Sequence, residues 1–213
     1  MDRTTDASGF VLLSDFIPDI VQEIRYFSTF NFVGERIDGY EEPCALLTID
    51  AARALKAVSN EMAVRGYRLK IFDAYRPVMA VKRFIFWGIE DQDIRMKPYF
   101  YPEISKQDTF ALGYIAKQSS HSRGSAIDLT LLDMKSGKEV DMGGPFDYFG
   151  ELSHPDYRGI TDEQYENRMM LQRTMVRNGF APYECEWWHF MLEKEPFPDD
   201  YFNFPVATYS VKK

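Results

Sequence analysis

The stretch Ser119–Leu131, SSHSRGSAIDLTL, is polar and glycine-bearing in its first half and strand-like in its second. Ile127, Leu129 and Leu131 alternate with Ala126, Asp128 and Thr130, the period of two that a β-strand imposes. Asp128 therefore shares a face with two small residues, which leaves room beside its carboxylate. Taken alone, it reads as an aspartate facing water on a half-exposed strand. His121 changes that reading. It lies seven residues before Asp128, a span of about 23 Å if extended, far beyond the reach of two side chains to a common point. Gly124, between Arg123 and Ser125, is where the chain can turn back and carry His121 over Asp128.

A third residue of the same chemistry follows some way on. His189, in CEWWHF, completes a set of two histidines and one carboxylate, the ligand types of catalytic zinc sites that keep a fourth position open for water. Glu186, three residues earlier, is the candidate base for that water. On a flat strand Glu186 and His189 would face opposite sides, so the pairing requires a bulge or tight bend. The alternative for EWWH is an aromatic core strand with edge polar groups. Arg76, in DAYRP, ends a strand just before a turn. It is placed either to stabilise an oxyanion or to form a surface salt bridge with Asp73.

The rest of the chain reads as one domain, 1–213, with no repeat or Pro/Gly/Ser-rich linker. TIDAARALKAVSNEMAVRGY sets Ala52, Leu55, Val58, Met62 and Val64 near helical spacing, with Thr48 or Asp50 to cap it and Gly66 to stop it. YRLKIFDAYRP reads as a strand, and Pro77 can open the helix PVMAVKRFIFWGIED. Residues 92–118 read as irregular, with KPYFYPE a surface loop. TDEQYENRMMLQRTMVRNGF is a helix with Thr161 at its start, Gln164 in the capping-box position and Gly179 at its end. APYECEWWHF reads as a final strand. Helices and strands without strict alternation predict an α+β fold.

Composition narrows the function classes. Of 213 residues, 25 are Lys or Arg and 33 Asp or Glu, a formal charge of −8 that would repel phosphate backbones and argues against a nucleic-acid partner. The N-terminus carries acids in place of a basic signal region, and no stretch approaches the ~20 apolar residues of a membrane span. The expectation is a cytoplasmic protein with no membrane partner, its Cys44 and Cys185 free thiols.

SSHSRGSAIDLTL followed by EWWH resembles the SxHxxGxAxD and ExWH signatures of zinc D-alanyl-D-alanine peptidases, which share a fold with the Hedgehog signalling domain. The narrower resemblance is to the D-alanyl-D-alanine dipeptidases of the vancomycin-resistance type. IRYFSTFNFVGERIDGY, IFDAYRP, MGGPFDYFGELSH and EWWHF fall in that family's order along nearly the whole chain. The resemblance implies a central antiparallel sheet flanked by helices and one zinc ion per chain on His121, Asp128 and His189. It implies Glu186 as catalytic base and Arg76 as transition-state stabiliser. It adds roles the residues alone do not suggest: Asp147 on the substrate's ammonium group, Ser119 near its carboxylate, and Tyr26 lining the pocket. The substrate implied is a free small-molecule dipeptide, D-alanyl-D-alanine. A carboxypeptidase with an open cleft and a non-catalytic zinc module are the rival readings. YFSTFNF departs from the more polar run expected at the pocket rim, and His154 reads as structural.

Overall fold

The computed structural model describes residues 4–90 and 92–212. Among them seven strands form two sheets: β1 (Phe10–Leu12), β2 (Val21–Gln22), β3 (Leu46–Thr48), β4 (Tyr67–Asp73), β5 (Ala126–Asp133), β6 (Phe180–Tyr183) and β7 (Glu186–Leu192). A five-stranded sheet runs in the order β2-β4-β5-β7-β6, and β1 pairs with β3 in a small second sheet. The large sheet is antiparallel except at one edge, where β2 runs parallel to β4. The α-helices of the described residues are α1 (Leu13–Phe16), α2 (Ile49–Val64), α3 (Val78–Ile89), α4 (Lys97–Phe100), α5 (Asp108–Ala111), α6 (Asp162–Arg177) and α7 (Thr208–Val211). The α+β architecture predicted from the sequence is the one observed.

Local chemistry explains most of these elements. On α2, Leu55, Val58 and Met62 are fully buried, which fixes the core-facing stripe. Val64 does not belong to that stripe: it is 90% exposed, having rotated off the face in the last turn before Gly66 ends the helix at φ 86°. Thr48 sits at the N-cap, but its hydroxyl is spent elsewhere, 2.8 Å from the Ser125 hydroxyl. The capping box of α6 is complete: Thr161 Oγ1 accepts from the Gln164 N–H, and Gln164 Oε1 accepts from the Thr161 N–H.

Three further expectations need correction. Asp128 and Thr130 do not lie on a half-exposed face; they are 2% and 1% exposed, and β5 is buried on both sides. KPYFYPE is not simply a surface loop. It contains the α4 turn, and Phe100 and Tyr101 are buried because Phe149 N–H donates to the Phe100 carbonyl and Tyr101 packs edge-on against Trp87. APYECEWWHF is not one strand but the hairpin β6–β7, which reverses at Glu184 and Cys185. Polar residues at a two-residue turn are hidden inside an otherwise aromatic run. One cluster of buried side chains extends from Phe10 to Val206. No helix among the described residues is long and apolar enough to cross a membrane. Both cysteines are free, Cys44 buried and Cys185 partly exposed.

Candidate active site

The glycine turn does what the Ser119–Leu131 stretch requires. Residues Ser120–Arg123 form one 3-10 turn, begun by Ser119, whose Oγ accepts from the His121 N–H at 3.2 Å. Gly124 closes it at φ 78°, and a Cβ there would stand 2.1 Å from the Phe10 ring. Both the backbone conformation and the space demand glycine. His121 thus returns over β5, and its ring is held in one tautomer. Its Nδ1 lies 2.6 Å from the Ala74 carbonyl, which only accepts, so Nδ1 carries the proton and the Nε2 lone pair faces the site.

The hairpin supplies the rest. In the β6–β7 register Pro182 pairs with Phe190 and Tyr183 with Glu186, so one step on β6 spans four on β7. This is the bulge that the Glu186–His189 spacing requires. It buries Trp187 and Trp188 consecutively and leaves Glu186 and His189 lining the same cavity. Two registers then align the site: His189 stands opposite Asp128 across β5–β7, and Asp73 stands opposite Asp128 across an irregularity in β4–β5.

His121, Asp128 and His189 form a group able to hold a metal ion. His121 Nε2 is 3.1 Å from His189 Nδ1 and 3.3 Å from Asp128 Oδ2, while His189 Nδ1 is 3.0 Å from Asp128 Oδ1. A tetrahedral ion with bonds of roughly 2.0–2.1 Å places its ligand atoms about 3.3 Å apart, so this donor set fits one closely. Burial alone would raise the Asp128 carboxyl, but its two histidine neighbours, His121 ahead of His189, hold it well below the usual carboxylate range.

The cavity over this group has a volume of about 370 Å³. Glu186 enters it without joining the triad, its Oε2 3.9 Å from His189 Nδ1. Burial pushes its carboxyl up to about 8. Arg76 proves not to be a surface residue. Its Nε donates to Asp73 Oδ2 at 2.9 Å, and a terminal nitrogen lies 3.6 Å from Asp128 Oδ2. The guanidinium lies beside an aromatic pair, 5.0 Å from the Tyr26 ring and 5.1 Å from Phe84, whose centroids are 4.9 Å apart. It makes the ion pair with Asp73 and faces the cavity at once.

Asp147 lines the same cavity. It is the only non-glycine described residue with positive φ, 63°, and it is 4% exposed. Its Oδ1 accepts from the Tyr26 hydroxyl at 3.1 Å, whereas Oδ2 has no partner among the described residues. Ser119 also lines the cavity, so all eight residues singled out from the sequence gather around it. At the rim, where the aromatic YFSTFNF departs from a polar run, Phe32 packs into the wall.

Comparison with known proteins gives these residues a family. The model of the D-ala-D-ala dipeptidase peptidase family matches residues 6–207. A D-alanyl-D-alanine dipeptidase of Enterococcus faecalis is 40% identical over 200 residues, covering 94% of this chain and 99% of that one. One from Enterococcus faecium is 39% identical over 198 residues (93% and 98%), and one from Streptomyces coelicolor is 37% identical with the same coverage. The chain belongs to the D-ala-D-ala dipeptidase family of peptidases.

For this peptidase, sequence reasoning passes over several residues of the site. Asp73 reads from sequence only as a surface partner; it is 1% exposed and accepts from the Tyr40 hydroxyl at 2.7 Å as well as from Arg76. Its position three residues before Arg76, at a strand end, is the available signal. Ser120, whose Oγ is 3.4 Å from His189 Nε2, and Tyr114, which lines the cavity and meets His154 Nε2 at 3.3 Å, carry none.

Asp147 has a measurable cost. Burial, with the charge of Asp128 nearby, pushes its carboxyl up to about 8. Between the ordinary carboxylate value and that one, the folded chain keeps a proton the unfolded chain has released. Stability therefore falls as pH rises through this window. Metal-free Asp147→Asn lacks the titrating group. Its unfolding free energy should match wild type near pH ~4 and exceed it increasingly towards pH ~8, by several kcal/mol at most. Calorimetry showing the same difference at every pH would mean that Asp147 is not an uncompensated buried carboxyl.

Proposed function

We propose that this chain, acting as one domain in the cytoplasm, is a zinc-dependent dipeptidase that hydrolyses the free dipeptide D-alanyl-D-alanine. The observation that carries the reading is Asp147 Oδ2, a buried carboxylate oxygen without a partner, in the same cavity as the two-histidine, one-aspartate group. A ligand cation there would complete a costly unpaired group, and the α-ammonium of a peptide is such a cation. The names of the family relatives supply the substrate's identity.

In this scheme His121, Asp128 and His189 hold the zinc ion. When bound, zinc supplies Lewis acidity to the peptide carbonyl and makes water a nucleophile near neutral pH. Glu186 takes the proton of the attacking water and passes it to the departing amine. Arg76, fixed through Nε by Asp73, offers its terminal N–H groups to the carbonyl oxygen as negative charge develops there. Asp147 and Tyr26 receive the substrate ammonium, and Ser119 Oγ donates to its carboxylate. With both termini of a dipeptide held, a longer peptide has no place for its N-terminal extension.

The test is incubation with D-Ala-D-Ala, L-Ala-L-Ala and a pentapeptide ending in D-Ala-D-Ala, following amine release. Turnover of the first alone, lost on exhaustive chelation and restored by zinc, is expected. Comparable turnover of the pentapeptide makes the chain a carboxypeptidase instead. Arg76→Ala should lower kcat by roughly 10²–10³-fold in a chain that still folds but is less stable, because the buried Asp73 loses its partner. A raised KM with unchanged kcat would assign Arg76 to substrate binding in place of charge stabilisation.

A further inference from the structure

We propose that a second cavity, separated from the catalytic one by the Phe146–Asp147 segment, binds a small zwitterionic amino acid. Its volume is about 410 Å³, and Phe146 lines it while the next residue, Asp147, lines the catalytic cavity. Two other lining residues have hydrogen-bond donors to spare. Among the described residues Arg25 forms an ion pair with Glu23 alone, Nε at 2.6 Å, and its terminal nitrogens donate no hydrogen bond. Its guanidinium is held over the Phe72 ring at 5.0 Å. Trp187 is 4% exposed, and its indole Nε1–H has no acceptor among the described residues. Buried donors in native proteins are almost always satisfied, so unused ones on one cavity call for an acceptor. A carboxylate is the acceptor that a guanidinium fork takes best.

The rim decides what else the ligand carries. Glu139 and Asp141 stand on the same cavity; Glu139 is paired with Lys70, which leaves Asp141, bonded only to the neutral Gly143 N–H and Gln164 amide, as the charge that would repel a bare anion. A molecule with an ammonium beside its carboxylate turns that repulsion into attraction. Val140, Met142 and Pro145 leave an apolar wall for a small aliphatic side chain. An α-amino acid such as alanine meets all three conditions. The choice of D-alanine as the physiological ligand rests on the function proposed above, in which it is the product; the binding chemistry does not. Phe146 stacks on Phe72 at 4.6 Å and meets Trp188 at 5.3 Å, so an occupant bears directly on the segment that holds Asp147.

The experiment is a titration of the 15N-labelled full chain with D-alanine, acetate or ethylammonium, following the Trp187 indole N–H, assigned through Trp187→Phe. A saturable shift with D-alanine is expected, at concentrations at least about tenfold below those needed for acetate, with none from ethylammonium. Arg25→Gln should abolish the shift while hydrolysis of D-Ala-D-Ala continues. Should Arg25→Gln fail to fold, Asp141→Asn at the exposed rim serves: it should weaken D-alanine and not acetate. No shift at any concentration, or a shift that survives Arg25→Gln or is unaffected by Asp141→Asn, leaves only water in the cavity and overturns the site. Acetate acting as well as D-alanine overturns the amino-acid assignment. Absence of hydrolysis with the shift intact would defeat the proposed function and leave this site standing.

Discussion

Glu186→Gln is expected to keep one zinc ion per chain and to lose roughly 10²–10⁴-fold in kcat, the usual worth of a general base. The substitution preserves shape and removes only the ability to accept a proton. Metal retention follows from geometry. The three ligand candidates stand 3.0–3.3 Å from one another, whereas Glu186 Oε2 is 3.9 Å from the nearest of their nitrogens that it approaches. Packing is unaffected in this variant, because the β7 bulge that aims Glu186 is anchored by the buried Trp187 and Trp188. Elemental analysis and kcat on the same preparation decide the matter. Loss of the metal along with activity would make Glu186 a ligand, and near-normal activity would move the base elsewhere.

Glu186 stands out from the amino-acid sequence by chemistry and spacing, whereas the bend that aims it does not. Helix ends marked by a capping box or a glycine stop, as at Thr161 and Gly179, are local events, and local reasoning finds them. The His121–Gly124–Asp128 turn is equally local: only a chain reversal can bring those side chains together, and glycine marks where. The β7 bulge can be demanded but not located, because it depends on the register of a hairpin whose turn is unreadable inside APYECEWWHF. Burial is the least legible quantity. Alternation correctly divides the faces of β5, yet it cannot reveal that both faces are covered by segments from elsewhere in the chain. Asp73, Asp147 and Arg76 owe their importance to that cover. Without it, Arg76 and Asp73 would be the weak surface pair that three-residue spacing suggests.

N-acetyl-D-Ala-D-Ala is expected to be a very poor substrate, with kcat/KM roughly 10²-fold below that of the free dipeptide, since acetylation forfeits the charge-assisted hydrogen bonds an ammonium makes with Asp147. Asp147 is 4% exposed where it lines the cavity, and its Oδ2 has no partner among the described residues. An ammonium there supplies both charge and donors. An acetyl amide supplies no charge, adds bulk, and leaves Asp147 without a cation to pair with. Asp147→Asn should compress the ratio between the two substrates, chiefly by slowing the free dipeptide, because the amide oxygen still accepts from an ammonium but no longer attracts it as a charge. Tyr26→Phe should act in the same direction and less strongly. It removes the hydroxyl that donates to Asp147 Oδ1 at 3.1 Å and leaves the carboxylate in place. Zinc content should be unchanged in both variants, which separates an effect on amine recognition from one on the metal group. The decisive comparison is kcat/KM for free and acetylated dipeptide across the three proteins. Equal turnover of the two by wild type would mean that the Asp147 end is open to extended peptides, and the chain would then act on peptide termini in place of free dipeptides.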